Sequence, residues 1–255
     1  MHKNPARHPA PLLRQPRFGV DAPAVPVVNI ATGVACCLAA ARRRGGWRGR
    51  TALAAAGTAL LGSTGVYLHT TLRGKVRIWE RELDRIGLAG DERLLDLGCG
   101  RGAVLVTAAA RLPAGTVDGV DLWSAKDQSG NNPEATLANA AAAGAADRVR
   151  VHTADMTALP FADATFDIVT SALAIHNIPS SAARLRAVDE AMRVLRPGGQ
   201  LLIADFWWMA RRYAAHLGQG TLRPLGPGYW YGGPGPTITL LHVVKDLLPE
   251  GAQPC

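Results

Sequence analysis

The stretch LLDLGCGRGAVL, residues 94–105, decides how this chain is read. Residues 94–97 have the look of a buried strand, and Gly98, Gly100 and Gly102 follow within five positions. The apolar run AVLVTAAARL (103–112) then has the length and composition of a helix. A strand, a glycine turn and a helix together let backbone approach a ligand closely. A dinucleotide loop reads G-x-G-x-x-G, and here the third glycine comes one position early. Asp96, two residues before the first glycine, sets a carboxylate where a pyrophosphate would approach. The loop therefore suits a ligand with a positive group and no phosphate.

Outward from the loop, the chain alternates. RLLDL (93–97), TVDGVDL (116–122), RVRVHTAD (148–155), FDIVTSAL (166–173), QLLIADF (200–206) and TITLLHVV (237–244) read as strands. Between them lie helical segments at 102–112, from Pro133 to Gly144, and at 181–195, with RPGG (196–199) as a turn. KVRIWERELDRIGL (75–88) carries Val76, Trp79, Leu83 and Ile86 at helical spacing and leads into this domain. Alternation of this kind predicts a doubly wound α/β fold with a mostly parallel sheet, its binding site at the carboxyl ends of the strands.

LLDLGCGRG resembles the D-x-G-x-G-x-G motif of the class I S-adenosylmethionine-dependent methyltransferases. GVDLW, TADMTALPF, FDIVTSALAIHNIP and RVLRPGGQLLIAD follow in the family's order. The resemblance covers about residues 90–206 and is nearest to the ubiquinone/menaquinone-type branch, within it to bacterial proteins with an N-terminal apolar hairpin. It implies a seven-stranded Rossmann-like sheet and S-adenosyl-L-methionine as co-substrate. It also implies roles for particular residues. Gly98, Cys99, Gly100 and Gly102 would pass beneath the methionine part of the ligand, and Asp96 would help position its ammonium. Asp121 would accept both ribose hydroxyls, and Leu122 would cover the adenine. Asp155 and the Met156 amide would meet the adenine edge, and Ser171 the methionine end.

Methyl transfer from a sulfonium needs alignment and exclusion of water first, and a base only for a protonated nucleophile. His176, in LAIHNIP, is the catalytic candidate by position, with a packing role as its alternative. Asp127 and Asn131 are candidates for the substrate mouth. GPGYWYGGPGP (226–236) reads either as an aromatic wall over the substrate or as a link between the last two strands. The acceptor is expected to be a small or lipid-like molecule. A membrane-tethered, non-catalytic binder of the same ligand and a nicotinamide-dependent oxidoreductase are the alternatives.

The net charge of +8 is unevenly placed. Residues 1–90 hold 14 Lys and Arg against 4 Asp and Glu, and residues 91–255 hold 14 against 16. The domain is thus slightly acidic, which speaks against a nucleic-acid partner. Cys36, Cys37, Cys99 and Cys255 show no paired spacing, so neither a disulfide framework nor a metal site is expected.

The positive excess surrounds two uncharged runs, 22–41 and 51–72, separated by RRRGGWRGR (42–50). Each is long enough to cross a bilayer core of roughly 30 Å. A signal peptide, a disordered arm and a pair of soluble helices are the other readings. Lys3, Arg7, Arg14 and Arg17 precede the runs, and Arg73, Lys75, Arg77, Arg81 and Arg85 follow them. With the connecting loop also basic, a spanning hairpin leaves one cluster on the disfavoured side, whereas a shallow hairpin on anionic lipid satisfies all. The expected division is a membrane-associated arm (1–72), the methyltransferase domain (73–248) on the cytoplasmic face of the membrane, and a tail (249–255). On that division a chain starting near Arg73 should still bind the cofactor.

Overall fold

The structure, a computed structural model, describes residues 17–233 and 237–247. The expected tail (249–255) and the first basic cluster up to Arg14 lie outside those residues. Strands β1 (Arg93–Leu97), β2 (Thr116–Asp121), β3 (Val149–Thr153), β4 (Phe166–Ala172), β5 (Leu195–Phe206), β6 (Thr221–Pro224) and β7 (Ile238–Val244) form one sheet. Its order is β3-β2-β1-β4-β5-β7-β6, with β7 antiparallel to β5 and β6 antiparallel to β7; the other pairs are parallel. The chain fills one side of β1 and then crosses to β4 on the other, so the switch point lies beside the glycine loop.

The buried strand pattern follows from the two-residue period. Leu94 faces Val104, Leu105 and Val117 on one side of the sheet, and Leu95 and Leu97 face Val169, Val188 and Leu201 on the other. The helices form where their caps allow. Asn132 Oδ1 accepts the Ala135 amide (2.7 Å) ahead of Pro133 in the first turn of one, and Ser180 caps another at Ala183 (3.4 Å).

In chain order the helices are α1 (Ala24–Arg42), α2 (Trp47–His69), α3 (Lys75–Arg85), α4 (Ala103–Ala109), α5 (Pro133–Ala142), α6 (Ser181–Val194) and α7 (Trp207–Leu217). Two elements have no counterpart in the sequence reading, α7 and β6. Helix α7 buries only Ala210 and Tyr213 and exposes Trp207 and Trp208, so its apolar stripe is too short to read as a periodicity. The RPGG turn is instead the start of β5, and a register shift between Phe166 and Ile168 accommodates it.

Helices α1 and α2 pack as an antiparallel hairpin through small residues. A Cβ on Gly57 would stand 2.5 Å from Cys37 Sγ and 2.7 Å from the Gly33 carbonyl, which places the two backbones close together. Their outer faces leave Val27, Val28, Ile30, Val34, Leu38 and Leu61 exposed. Helix α2 runs through a π-helical turn, Thr70–Gly74, directly into α3. The buried Glu82 of α3 is held by Arg85 and by Arg223 of β6, which ties that helix to the edge of the sheet.

Candidate active site

At the carboxyl ends of β1, β2 and β4 lies a cavity of about 410 Å³, within the range of small-molecule sites. One wall is the glycine loop. Gly98 and Gly100 have φ of +70° and +52°, a conformation that costs an L-residue roughly 1–2 kcal/mol. The loop is pinned by its neighbours. Asp121, ending β2, accepts the Gly100 amide (2.8 Å) on Oδ2 and the Trp123 amide (2.6 Å) and Asn131 Nδ2 (3.1 Å) on Oδ1. Gln128 Oε1 accepts the next amide, that of Arg101 (2.6 Å). Trp123 is itself at φ +61°, a strained position for a bulky residue that its two hydrogen bonds, to Asp121 and Thr153, hold in place.

Asp96 shares the side of β1 that leads into this cavity. It is 1% exposed, and the Thr170 hydroxyl donates to it (2.8 Å). Burial, opposed by the Thr170 bond and reinforced by the negative Asp121, pushes its carboxyl up to about 7. Burial likewise pushes the Cys99 thiol up, so it stays protonated at neutral pH and is no nucleophile.

Of the residues singled out in the sequence, Asp96, Gly98, Cys99, Gly100, Asp121, Leu122, Asp155 and Met156 line the cavity, as do Asp127 and Asn131. Leu122 is exposed at the rim, and Asp155 Oδ1 caps the following turn at the Thr157 amide (2.8 Å). Three others stand apart from this wall. Gly102 begins α4 at φ +81°, packed near Thr136. Ser171 is buried and donates to the Leu97 carbonyl (3.0 Å), joining β4 to β1.

His176 is held at Nδ1 by the buried Asp205 (2.8 Å) and lies edge-on to Phe206. Asp205 falls on the β5 face shared with Leu201 and Ile203, opposite the face of Leu94 and Asp96, which is why this pair does not line the cavity. Half of a base–orienter geometry is present, a carboxylate on one ring nitrogen, without placement at the cavity wall.

The opposite wall was largely invisible in the sequence. It is formed by Asp21, Lys75, Tyr229, Tyr231, Ile178 and Pro179 among others. Tyr229 and Tyr231 come from the aromatic segment that read as either wall or link, and they line the cavity. Asp21 is the only acid in the first 79 positions, the one sequence signal that set it apart from the arm. Its carboxylate takes Lys75 Nζ (2.8 and 3.1 Å), Gln128 Nε2 (2.7 Å) and the Tyr231 hydroxyl (2.6 Å). A chain starting at Arg73 would lack Asp21 and the bonds it makes to this wall.

The donor set answers the question posed by the loop. Among the described residues, five acidic side chains line the cavity (Asp21, Asp96, Asp121, Asp127 and Asp155), against two cations, Lys75 and Arg186, of which Lys75 is paired with Asp21. Among those residues the lining thus carries a net negative charge, which disfavours a pyrophosphate. It favours a ligand bearing an ammonium and a sulfonium, and Asn131 Oδ1, buried without a partner among the described residues, is a free acceptor beside Asp121. The residues fit S-adenosylmethionine.

Sheet order and glycine loop are those of the class I methyltransferase fold. Residues 95–203 match the family model described as methyltransferase domain. Among the relatives it is similar to are ubiquinone/menaquinone biosynthesis C-methyltransferases and demethylmenaquinone methyltransferases. The chain is 30% identical to 27-O-demethylrifamycin SV methyltransferase of Amycolatopsis mediterranei, over 60% of this chain and 52% of that one. It is 37% identical to demethylmenaquinone methyltransferase of Beutenbergia cavernae, over 52% of this chain and 49% of that one. The chain thus spans about half the length of the curated relatives it matches. Geranyl diphosphate C-methyltransferase from Streptomyces coelicolor A3(2), solved in complex with S-adenosyl-L-homocysteine, shares the fold at a TM-score of 0.54. That likeness is at 20% identity and covers 67% of this chain and 79% of that one.

Proposed function

We propose that this protein is a methyltransferase for a small-molecule or lipid-like acceptor, held by its helical hairpin on the cytoplasmic face of a membrane. The observation that carries the catalytic reading is the pairing of a pinned glycine loop with two buried carboxylates, Asp96 and Asp121, at the switch point. S-adenosylmethionine, when bound, supplies a methyl group already activated on a sulfonium. Asp121 and Asn131 are proposed to take the ribose hydroxyls, Asp96 to face the ammonium, and Leu122, Asp155 and Met156 to border the adenine. Tyr229, Tyr231, Ile178 and Pro179 then hold the acceptor and exclude water. No proton acceptor is assigned, since an already ionised nucleophile needs none for the transfer itself.

Transfer of labelled methyl from S-adenosylmethionine into a lipid and metabolite extract tests this directly. Labelled product supports it. Binding of S-adenosylhomocysteine with no transfer to any fraction leaves the tethered-binder reading, and tight binding of a reduced nicotinamide in place of S-adenosylhomocysteine leaves the oxidoreductase.

Asp96 adds a pH dependence. Asp121, the Cys99 thiol and the Tyr229 hydroxyl lie around it and supply no positive charge. An ammonium brought beside it favours its ionised form, so binding draws off a proton wherever free Asp96 is still protonated. Affinity for S-adenosylhomocysteine is therefore expected to rise about tenfold from pH 6 to pH 8 and then to level off. Calorimetry in two buffers of different ionisation heat should show proton release near pH 7. A flat affinity across this window removes Asp96 from the ammonium.

The membrane reading rests on helices α1 and α2, of 19 and 23 residues, with their aliphatic sides exposed and five arginines between 42 and 50. More basic residues flank the hairpin than fill its tip, which favours both ends, and the domain with them, on the cytoplasmic side. The full chain is expected to sediment with membranes at physiological salt and to need detergent for release. Recovery in the soluble fraction without detergent would overturn this part.

A further inference from the structure

The segment Arg17–Ala22 leads into α1, yet it shares four hydrogen bonds with the 127–129 loop and two with Asn139 of α5. The Ala22 amide donates to the Asp127 carbonyl (2.7 Å), the Ser129 amide to the Val20 carbonyl (2.9 Å), and the Val20 amide to Ser129 Oγ (2.8 Å). The Arg17 amide and carbonyl both engage the Asn139 side chain, whose Nδ2 also reaches the Arg101 carbonyl (2.9 Å). A Cβ on Gly19 would stand 2.8 Å from the Ser129 carbonyl, so the strap lies flat on the 127–131 loop. From the other side, the hairpin holds the strap. Tyr67 of α2 donates to the Asp21 carbonyl (2.6 Å), and Thr71 of the π turn accepts its amide (2.8 Å).

The chain of bonds through Asp21 ends on the glycine loop. Gln128 Oε1 must accept, because its partner is the Arg101 amide, and so Nε2 must donate; Asp21 Oδ1 is the acceptor it meets. The two consecutive amides of the loop, Gly100 and Arg101, are thereby fixed by Asp121 and Gln128 respectively. Lys75 and Tyr231 saturate the rest of the Asp21 carboxylate, so it cannot turn away from Gln128 without stranding a buried lysine.

We propose that Asp21 is a positioning residue which, acting through Gln128, sets the glycine loop in the shape that receives the cofactor. The hairpin is then part of the machinery of binding as well as an anchor, since it holds both the backbone of Asp21 and its counter-ion Lys75. The consequence for affinity rests on the reading that this cavity takes S-adenosylmethionine.

The test uses the full-length protein in detergent, first with no ligand. In Asp21→Ala, hydrogen exchange at the Gly100 and Arg101 amides is expected to accelerate about tenfold, while amides of β1 and β4 keep their protection. Affinity for S-adenosylhomocysteine should fall by about tenfold in the same variant, the scale of one lost hydrogen bond. Gln128→Leu leaves the Asp21–Lys75 pair intact and cuts only the link, and should reproduce the loop-specific exchange. If Asp21→Ala loses protection throughout the sheet, the Gln128→Leu exchange result decides. Unchanged exchange at Gly100 and Arg101 in a folded variant overturns the proposal. Failure of the wild type to bind S-adenosylhomocysteine would strike the cofactor reading alone, because the exchange measurement needs no ligand.

Discussion

Gly100→Val is expected to lower affinity for S-adenosylhomocysteine by about a hundredfold or more, while the far-ultraviolet circular dichroism stays that of the wild type. Two effects act together. At φ +52° a β-branched residue is strained, so the loop is drawn toward another backbone conformation. A Cβ here would also stand 2.5 Å from Gln128 Oε1, the atom that holds the Arg101 amide. Valine thus removes two restraints on the loop, its backbone geometry and its side-chain latch. The sheet should survive, because Leu94, Leu95 and Leu97 pack away from the loop into cores that valine at 100 does not enter. Calorimetry beside circular dichroism separates the two outcomes, and a folded variant that binds normally would mean that the glycines serve only the turn.

Asp121→Ala is expected to weaken the same binding by about 2–3 kcal/mol, roughly 30- to 150-fold, the scale of charge-assisted hydrogen bonds lost from a buried site. The structure adds a second route to this loss. Asp121 already accepts the Gly100 and Trp123 amides, so alanine frees the loop and releases the strained turn at Trp123 as well. Asp121→Asn, of the same shape, retains one acceptor oxygen and should lose less. Equal losses in the two variants would point to the charge on the carboxylate, and a smaller loss in asparagine to the loop geometry. Unchanged affinity in a folded alanine variant would take Asp121 out of the site.

Much of the site was legible before any coordinates, for a local reason. Asp96, Gly98, Gly100 and Asp121 belong to strand ends and the turn that follows β1, and their spacing along the chain determines their spacing in space. The glycine spacing and the acid ahead of it together excluded a phosphate cradle, and the cavity's excess of carboxylates agrees with that exclusion. The same locality let the alternation of strands and helices predict the parallel part of the sheet, and let two uncharged runs predict the hairpin helices.

What lay beyond the sequence is whatever depends on contacts between distant segments. Strand β6 is four residues long and takes its place only by pairing with β7, so no local pattern announced it. His176 sits one residue from the cavity wall, but its orientation follows Asp205, and the face on which Asp205 falls is set by the pleat of β5. Asp21 is the sharpest case. By sequence it is an isolated acid in a basic arm; in space it binds Lys75, Gln128 and Tyr231, which are 54, 107 and 210 residues away. Secondary structure is written in short-range periodicity, but the closing of a cavity by a strap, a π turn and a C-terminal aromatic loop is a property of packing. Only the tertiary structure could bring those three segments to the same carboxylate.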